Sequence, residues 1–172
     1  MRIYCEDSVR HIGEIIELMG WVQGRRDHGG LIFIDLRDHT GIVQLVVQPE
    51  NEESFKIAEH IRDEYVISVK GEVVERAEEL KNPNLLTGNI EIKLNNLDLL
   101  NKSEALPIQI NSDDNVSEEV RLKYRYLDLR RTKMQNMLKK RAQLYSLIRS
   151  YFDKSEYTEI TTPILANSSP EG

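Results

Sequence analysis

The sequence is poor in the residues that staple small folds. Cys5 is the single cysteine among 172 residues, which excludes an internal disulfide and a cysteine-based zinc site. The four histidines, His11, His28, His39 and His60, fall at no ligand spacing, so no metal is expected. Long hydrophobic runs are missing as well: nowhere do ~18 apolar residues follow one another, and no apolar segment follows the opening MRIYCEDSVR. Signal peptides and membrane spans are thereby excluded, and the expected location is cytoplasmic, with no membrane partner. Repeats and low-complexity tracts are absent too. What remains, 30% charged and 40% apolar residues, is the composition of an ordinary soluble protein with one good core or two small ones.

Basic residues are scarce in the first 105 positions, which hold 12 Lys and Arg against 20 Asp and Glu, and concentrated in residues 121–149, which hold ten against one. The net charge of −6 hides this division. An acidic first region repels polyanions at long range, so any nucleic acid it binds must be gripped by a few local basic and aromatic groups. Binding of that kind is selective.

Up to about residue 100, apolar residues recur with the period of two expected of half-buried strands, interrupted by Gly, Asn, Asp and Pro. Five strands are predicted, near 15–23, 31–37, 42–48, 65–75 and 89–100, with one helical stretch, EESFKIAEHIRDE, between the third and fourth. Five antiparallel strands with a helix in that place form an OB barrel, whose second and third strands and flanking loops bind oligonucleotides. An SH3-like or other small closed barrel fits less well, because it lacks the helix. The fold class is therefore mainly β with α.

After Pro107 the stretch LPIQINSDDNV has no periodicity and reads as a hinge. Ser117, followed by Glu118 and Glu119, predicts a helix start, since its hydroxyl accepts from orphan amides and the acids favour the positive helix end. The basic segment EEVRLKYRYLDLRR is expected to continue as that helix. A second helix is predicted over 133–154, with Met137, Leu138, Leu144, Tyr145, Ile148 and Phe152 at helical spacing and one face buried. Beyond it comes EITTPIL, where Thr162 must be extended because it precedes Pro163.

Parity separates the two faces of each strand. In the second, Ile32, Ile34 and Leu36 point one way and Leu31, Phe33 and Asp35 the other. In the third, Val43, Leu45 and Val47 leave Gln44 on the opposite side. In the fifth, Ile90, Ile92 and Leu94 leave Glu91 and Lys93 outward. An aromatic, an amide and a carboxylate thus lie on non-core faces, where a ring can stack on a base for ~1–3 kcal/mol and the polar groups can read its edges. The alternative is that Phe33 is core at a barrel corner, since small barrels are often apolar on both faces.

Two further segments carry both a functional and a plain reading. QGRRDHGG is expected to be the loop joining strands one and two, with Arg25 and Arg26 able to hold a phosphate or a guanine edge. It can equally be a solvated hairpin with an Arg–Asp27 surface pair worth ~0–1 kcal/mol. RLKYRYLDLRR interleaves tyrosines with cations in a manner that suits a polyphosphate backbone. It can also be an interdomain helix whose tyrosines pack and whose cations face acidic neighbours.

Together these segments resemble one family. GWVQGRRDHGGLIFIDLRDHTGIVQLVV and NPNLLTGNIEI are similar to the anticodon-binding barrel of bacterial aspartyl-tRNA synthetases, and EEVRLKYRYLDLRR to their hinge signature. TEITTPIL followed by SSPEG resembles class II motif 1 and the start of the mobile loop after it. RYLDLRR alone is shared with lysyl-tRNA synthetases, whereas the RRDHGGLIFIDLRD run and SSPEG point to aspartate. The division implied is an OB-fold anticodon-binding domain over 1–105, a hinge over 106–131, and over 132–172 the first helices and strand of the class II catalytic domain.

The resemblance implies site residues. Phe33 would stack on an anticodon base, Arg26 and Gln44 would contact the bases flanking it, and Glu91 would help read the guanine that opens the anticodon. Gln23, Arg76 and Asn82 would lie in the same groove. Pro163 would sit in the dimer interface of a homodimer, and Glu171 would meet the amino group of bound aspartate. Two departures stand out: Gly24 replaces an arginine of many relatives, and His28 replaces a leucine of some. An imidazole beside the anticodon can donate or accept, which motivates the hypothesis that tRNA(Asn) is tolerated alongside tRNA(Asp). In the family, aspartate is activated by ATP and Mg2+ through an arginine and metal-binding carboxylates from motifs 2 and 3. Neither motif lies within residues 1–172, so this polypeptide alone is expected to bind no cofactor, to hold no catalytic residue and to lack ligase activity. Residues after about 155 are expected to be poorly ordered. Readings of another class are a free-standing nucleic-acid-binding module and a dimerisation fragment built on 132–165.

Overall fold

A computed structural model describes residues 3–112 and 114–165. The chain divides into two compact units, Met1–Leu106 and Pro107–Gly172.

The first unit is a closed barrel of strands β1 (Ile15–His28), β2 (Leu31–Arg37), β3 (Ile42–Val47), β4 (Val66–Glu75) and β5 (Ile90–Asn101), with helix α1 (Glu52–His60) between β3 and β4. The ring runs β1-β2-β3-β5-β4, and only the β3–β5 pair is parallel. This is the five-stranded OB arrangement with its helix in the predicted place. The alternation in sequence explains the closure. Ile32, Ile34, Leu36, Val43, Leu45, Val47, Ile90 and Ile92 all point inward and are buried, so each strand has one face that is stable only against the others. β1 serves two partners, pairing with β4 through Ile15–Trp21 and with β2 through Trp21–His28. A Cβ on Gly20 would collide with the Arg37 carbonyl, and one on Gly71 with the Lys93 carbonyl, so glycine is required where the strands cross most closely.

α1 starts at Asn51, whose side chain accepts from the Ser54 amide and donates to the Asn95 carbonyl at 2.8 Å. Its apolar side, Phe55, Ile57 and Ala58, packs on the core. Two polar fastenings complete the barrel. Asp38, after β2, accepts from the Cys5 amide at 2.8 Å, the Thr40 amide at 2.8 Å and hydroxyl at 2.6 Å, and the Gly41 amide at 3.2 Å. Burial would raise the Asp38 carboxyl, but these hydrogen bonds outweigh it and hold the group below its ordinary range. Arg37 meets the buried Glu64 at 2.6 and 2.9 Å, tying β2 to the segment before β4.

In the second unit Ser117 caps α2 (Glu118–Lys123), accepting from the Val120 amide as expected. The predicted continuous helix is, however, broken: Tyr124 leaves helical geometry (φ −108°, ψ 45°) before a short α3 (Arg125–Asp128). The break brings Arg121 (Nε, 3.1 Å) and Arg125 (Nη1, 2.7 Å) onto the fully buried Asp128, with Arg131 at 3.8 Å. A buried carboxylate needs such partners, and gathering them overrides helix propensity. α4 (Thr132–Lys154) follows, close to its predicted span. Its expected buried face is not found: Met137, Leu144, Tyr145, Ile148 and Phe152 are exposed, and Met134 alone is buried among its residues. A helix can bury a stripe only against another element, and the described residues supply none there. No strand forms over 157–165, where Pro163 is exposed. Glu171 and the SSPEG ending lie outside the described residues. Among those described, no helix is long and apolar enough to cross a membrane.

Candidate nucleic-acid interface

QGRRDHGG is not the expected loop. β1 continues to His28, which pairs with Leu31. Gly29 (φ 61°) and Gly30 (φ 80°) form the two-residue turn, the kind that matches strand twist and demands positive φ at both central positions. Arg25 and Arg26 are therefore strand residues, and a bulge at Gln23 sets which way they face. Arg25 turns toward α1, its Nε donating to the Ala58 carbonyl at 2.7 Å while Nη2 meets Asp27 at 2.8 Å. Arg26 pairs across the ladder with Phe33 and shares its outer face.

The same face continues across the sheet. Phe33 lies opposite Val46 and Asp35 opposite Gln44, and the parallel β3–β5 pair brings Gln44 Nε2 within 3.3 Å of Glu91 Oε2. A cavity of about 480 Å³ results, lined by Arg26, Asp27, His28, Phe33, Gln44, Arg76, Leu80 and Glu91. Phe33 is half-buried and stands outside the hydrophobic core cluster, which removes the corner-core alternative. Its neighbours Ile32 and Ile34 supply the core instead.

The polar groups of this groove are already linked to one another. Arg26 Nη2 donates to both Asp35 oxygens, at 2.8 and 3.0 Å, and lies 3.3 Å from Gln44 Oε1. Arg76 is the most enclosed member, its side chain 6% exposed, with Nε donating to the Ile90 carbonyl at 2.8 Å and 3.7 Å from Glu91. Burial pushes its guanidinium pKa down, while the Glu91 and Asp35 charges act the other way. Arg76 thus lines the groove with its guanidinium tied to the Ile90 carbonyl and close to Glu91. Burial likewise raises the Asp35 carboxyl, countered by Arg26 and Arg76.

Of the residues singled out from the sequence, Arg26, His28, Phe33, Gln44, Arg76 and Glu91 line one cavity. Gln23 and Asn82 are not among its lining residues. Gln23 accepts from Arg37 at 3.4 Å, and Asn82 organises its own loop by accepting from the Asn84 amide. Sequence reasoning gave no role to Asp35, although its parity with Phe33 was the available signal, nor to Leu80, for which there was none; it read Asp27 only as the surface partner of an arginine, which it is.

An aromatic platform flanked by an amide, a carboxylate and guanidinium groups on the outer face of an OB barrel is chemistry suited to unpaired bases. Comparison with known proteins agrees. Residues 16–100 match the OB-fold nucleic acid binding domain family, and residues 117–172 match the tRNA synthetases class II (D, K and N). The chain is thus similar to class II tRNA synthetases in two separate segments. It is 52% identical over 166 residues to the aspartate–tRNA(Asp/Asn) ligases of Halothermothrix orenii and Bacillus mycoides, alignments that cover 96% of this chain and 28% of each relative. The chain thus spans little more than a quarter of those synthetases. Among solved structures, asparaginyl-tRNA synthetase from Pyrococcus horikoshii superposes with a TM-score of 0.82 at 28% identity, over 95% of this chain and 37% of that one. Aspartyl-tRNA synthetase from Entamoeba histolytica, at 21% identity and a TM-score of 0.83 over 99% and 41%, shares the fold. The barrel is thus the part that matches the OB-fold nucleic acid binding domain, and the match to the class II synthetases falls within the second unit.

Proposed function

We propose that this chain reads the anticodon for an aspartate–tRNA ligase, with residues 1–105 as the reader, 106–131 as hinge and 132–172 as the start of the catalytic domain. The observation that carries the reading is the cavity that gathers Phe33, Arg26, Gln44 and Glu91 on the non-core face of adjacent strands. Phe33 stacks on an anticodon base, Arg26 and Gln44 meet the bases beside it, and Glu91 accepts from the guanine that opens the anticodon. An acidic barrel favours such local recognition over general attraction to the phosphate backbone. The partner is tRNA(Asp), and similarity to the aspartate–tRNA(Asp/Asn) ligases of Halothermothrix and Bacillus supports extension to tRNA(Asn), with His28 at the groove as the adaptable contact. The full-length protein would be a cytoplasmic homodimer with Pro163 in its interface and Glu171 toward bound aspartate.

Activation of aspartate in this family uses ATP and Mg2+. Among the described residues no group of His, Cys, Asp and Glu could hold a metal ion, and no activation step is assigned to them. The decisive measurement is binding of an aspartate anticodon stem-loop to the chain and to Phe33→Ala. The expected loss is ~1–3 kcal/mol; undiminished affinity in the variant would remove the stacking role. For the wider specificity, charging of both tRNAs by the full-length enzyme is expected, and strict preference for tRNA(Asp) would count against it.

A further inference from the structure

We infer that Asp35 is a positioning residue of this groove, holding Arg26 and, through it, Gln44 in the arrangement that discriminates between bases. The inference rests on the anticodon-reading role proposed above and adds a residue which that role does not itself require.

The geometry divides the Arg26 guanidinium in two. Nη2 is engaged with both Asp35 oxygens and with Gln44 Oε1, whereas Nε and Nη1 have no protein partner among the described residues. One side is anchored and the other is presented to whatever enters, in a side chain that is 59% exposed. Without an anchor, a long exposed arginine samples many rotamers and loses more freedom when it binds. Asp35 is placed for the task. Its direct neighbour on β1 is Gly24, which has no side chain and open space around it, so Arg26, diagonal to Asp35 on the same face, is the cation from β1 that reaches it.

The effect passes on to Gln44. With Arg26 donating to Oε1 and Glu91 accepting from Nε2, its amide has one orientation that satisfies both neighbours; the flipped amide would set donor against donor and acceptor against carboxylate. A base meeting Gln44 therefore encounters a defined pattern. Release of Arg26 removes half of that constraint.

Charge alone makes the opposite prediction. A carboxylate beside a polyanion is unfavourable, so its neutralisation should tighten RNA binding and leave base preference unchanged. The sign of the effect therefore distinguishes the two accounts.

The test uses the 172-residue chain, an aspartate anticodon stem-loop and three versions with one anticodon base replaced in each. Binding is measured for wild type, Asp35→Asn, Arg26→Gln, the double variant and Phe33→Ala. Asp35→Asn is expected to reduce the preference for the cognate loop about tenfold at the base that Arg26 contacts, within the range of one directional base contact. It should add little further loss in the Arg26→Gln background. Arg26→Gln disrupts the pair from β1 and leaves β2 untouched, so the coupling remains readable even if Asp35→Asn alters the strand. Unchanged preference, tighter binding at equal preference, or additive losses would overturn the inference. Wild-type binding that Phe33→Ala weakens, with Asp35→Asn discriminating normally, removes Asp35 alone; absence of wild-type binding overturns the reader as well.

Discussion

The barrel and helix α4 carry equally regular apolar patterns, yet the outcomes differ. In the barrel every inward position meets another strand, and Ile34, Leu36, Val43, Leu45 and Ile92 retain no exposed surface. In α4, Leu144, Ile148 and Phe152 keep 54, 46 and 47% of theirs. Periodicity states which face of an element is apolar. It does not state what covers that face. A ring of five hydrogen-bonded strands supplies its own partners and leaves no edge, whereas a single helix must find its partner elsewhere.

The sharpest test of that contrast is the same truncation in both regions. Ile92→Ala, inside the barrel, is expected to cost about 2–5 kcal/mol in urea denaturation, because a cavity remains in a closed core. In the second unit, Asp128→Ala should destabilise residues 118–131 by about 1–3 kcal/mol, since it leaves Arg121, Arg125 and Arg131 without their shared acceptor. Amide exchange would show the loss there and not in the barrel; protection lost equally in both would break the separation.

Two aspartates near the end of β2 sharpen the comparison within the barrel. Asp38→Asn should cost about 1–3 kcal/mol near neutral pH through lost acceptor strength toward Cys5, Thr40 and Gly41. Because the folded carboxyl lies below its ordinary value, its contribution is complete above that value and is lost as pH falls through the depressed one. The gap between wild type and variant should therefore close on acidification. Asp35 has the reverse sign: its folded carboxyl is raised, chiefly by burial, so its ionisation reduces stability as pH rises through the carboxylate range.

Smaller effects separate the two faces of one strand. Phe33→Ala should change stability by under about 1 kcal/mol while impairing RNA binding, whereas truncating its neighbour Ile34 should do the opposite. Smallest of all, Ile148→Ala on α4 should fall within about 0.5 kcal/mol by the same urea titration. A loss rivalling that of Ile92→Ala would show that the α4 face is covered in solution.

Much of the barrel was legible. Strand number, the placement of α1 and the inward sets on β2, β3 and β5 follow from alternation, and the outward position of Phe33, Gln44 and Glu91 follows from the same parity. The errors have physical causes. The basic stretch after Gln23 resembled a loop because charge and glycine mark turns, but a two-residue turn needs only Gly29 and Gly30, so the strand runs on to His28. The helix through RLKYRYLDLRR was broken by the demand of a buried carboxylate, Asp128, for three arginines. Asp35 was visible as an outward residue, but its bond to Arg26 was not.

By itself the sequence determined which side of each barrel strand would be apolar, where the chain would turn, and which chemical groups would stand on the remaining face. Side-chain alternation and glycine's backbone freedom are local properties, readable from neighbours in the chain. Only the tertiary structure decided that Arg26 would be held by Asp35, that Gln44 would bridge Arg26 to Glu91, and that none of the described elements would cover the apolar stripe of α4. Those outcomes depend on strand register, on a single bulge and on which surfaces meet, and these join residues that no local pattern connects.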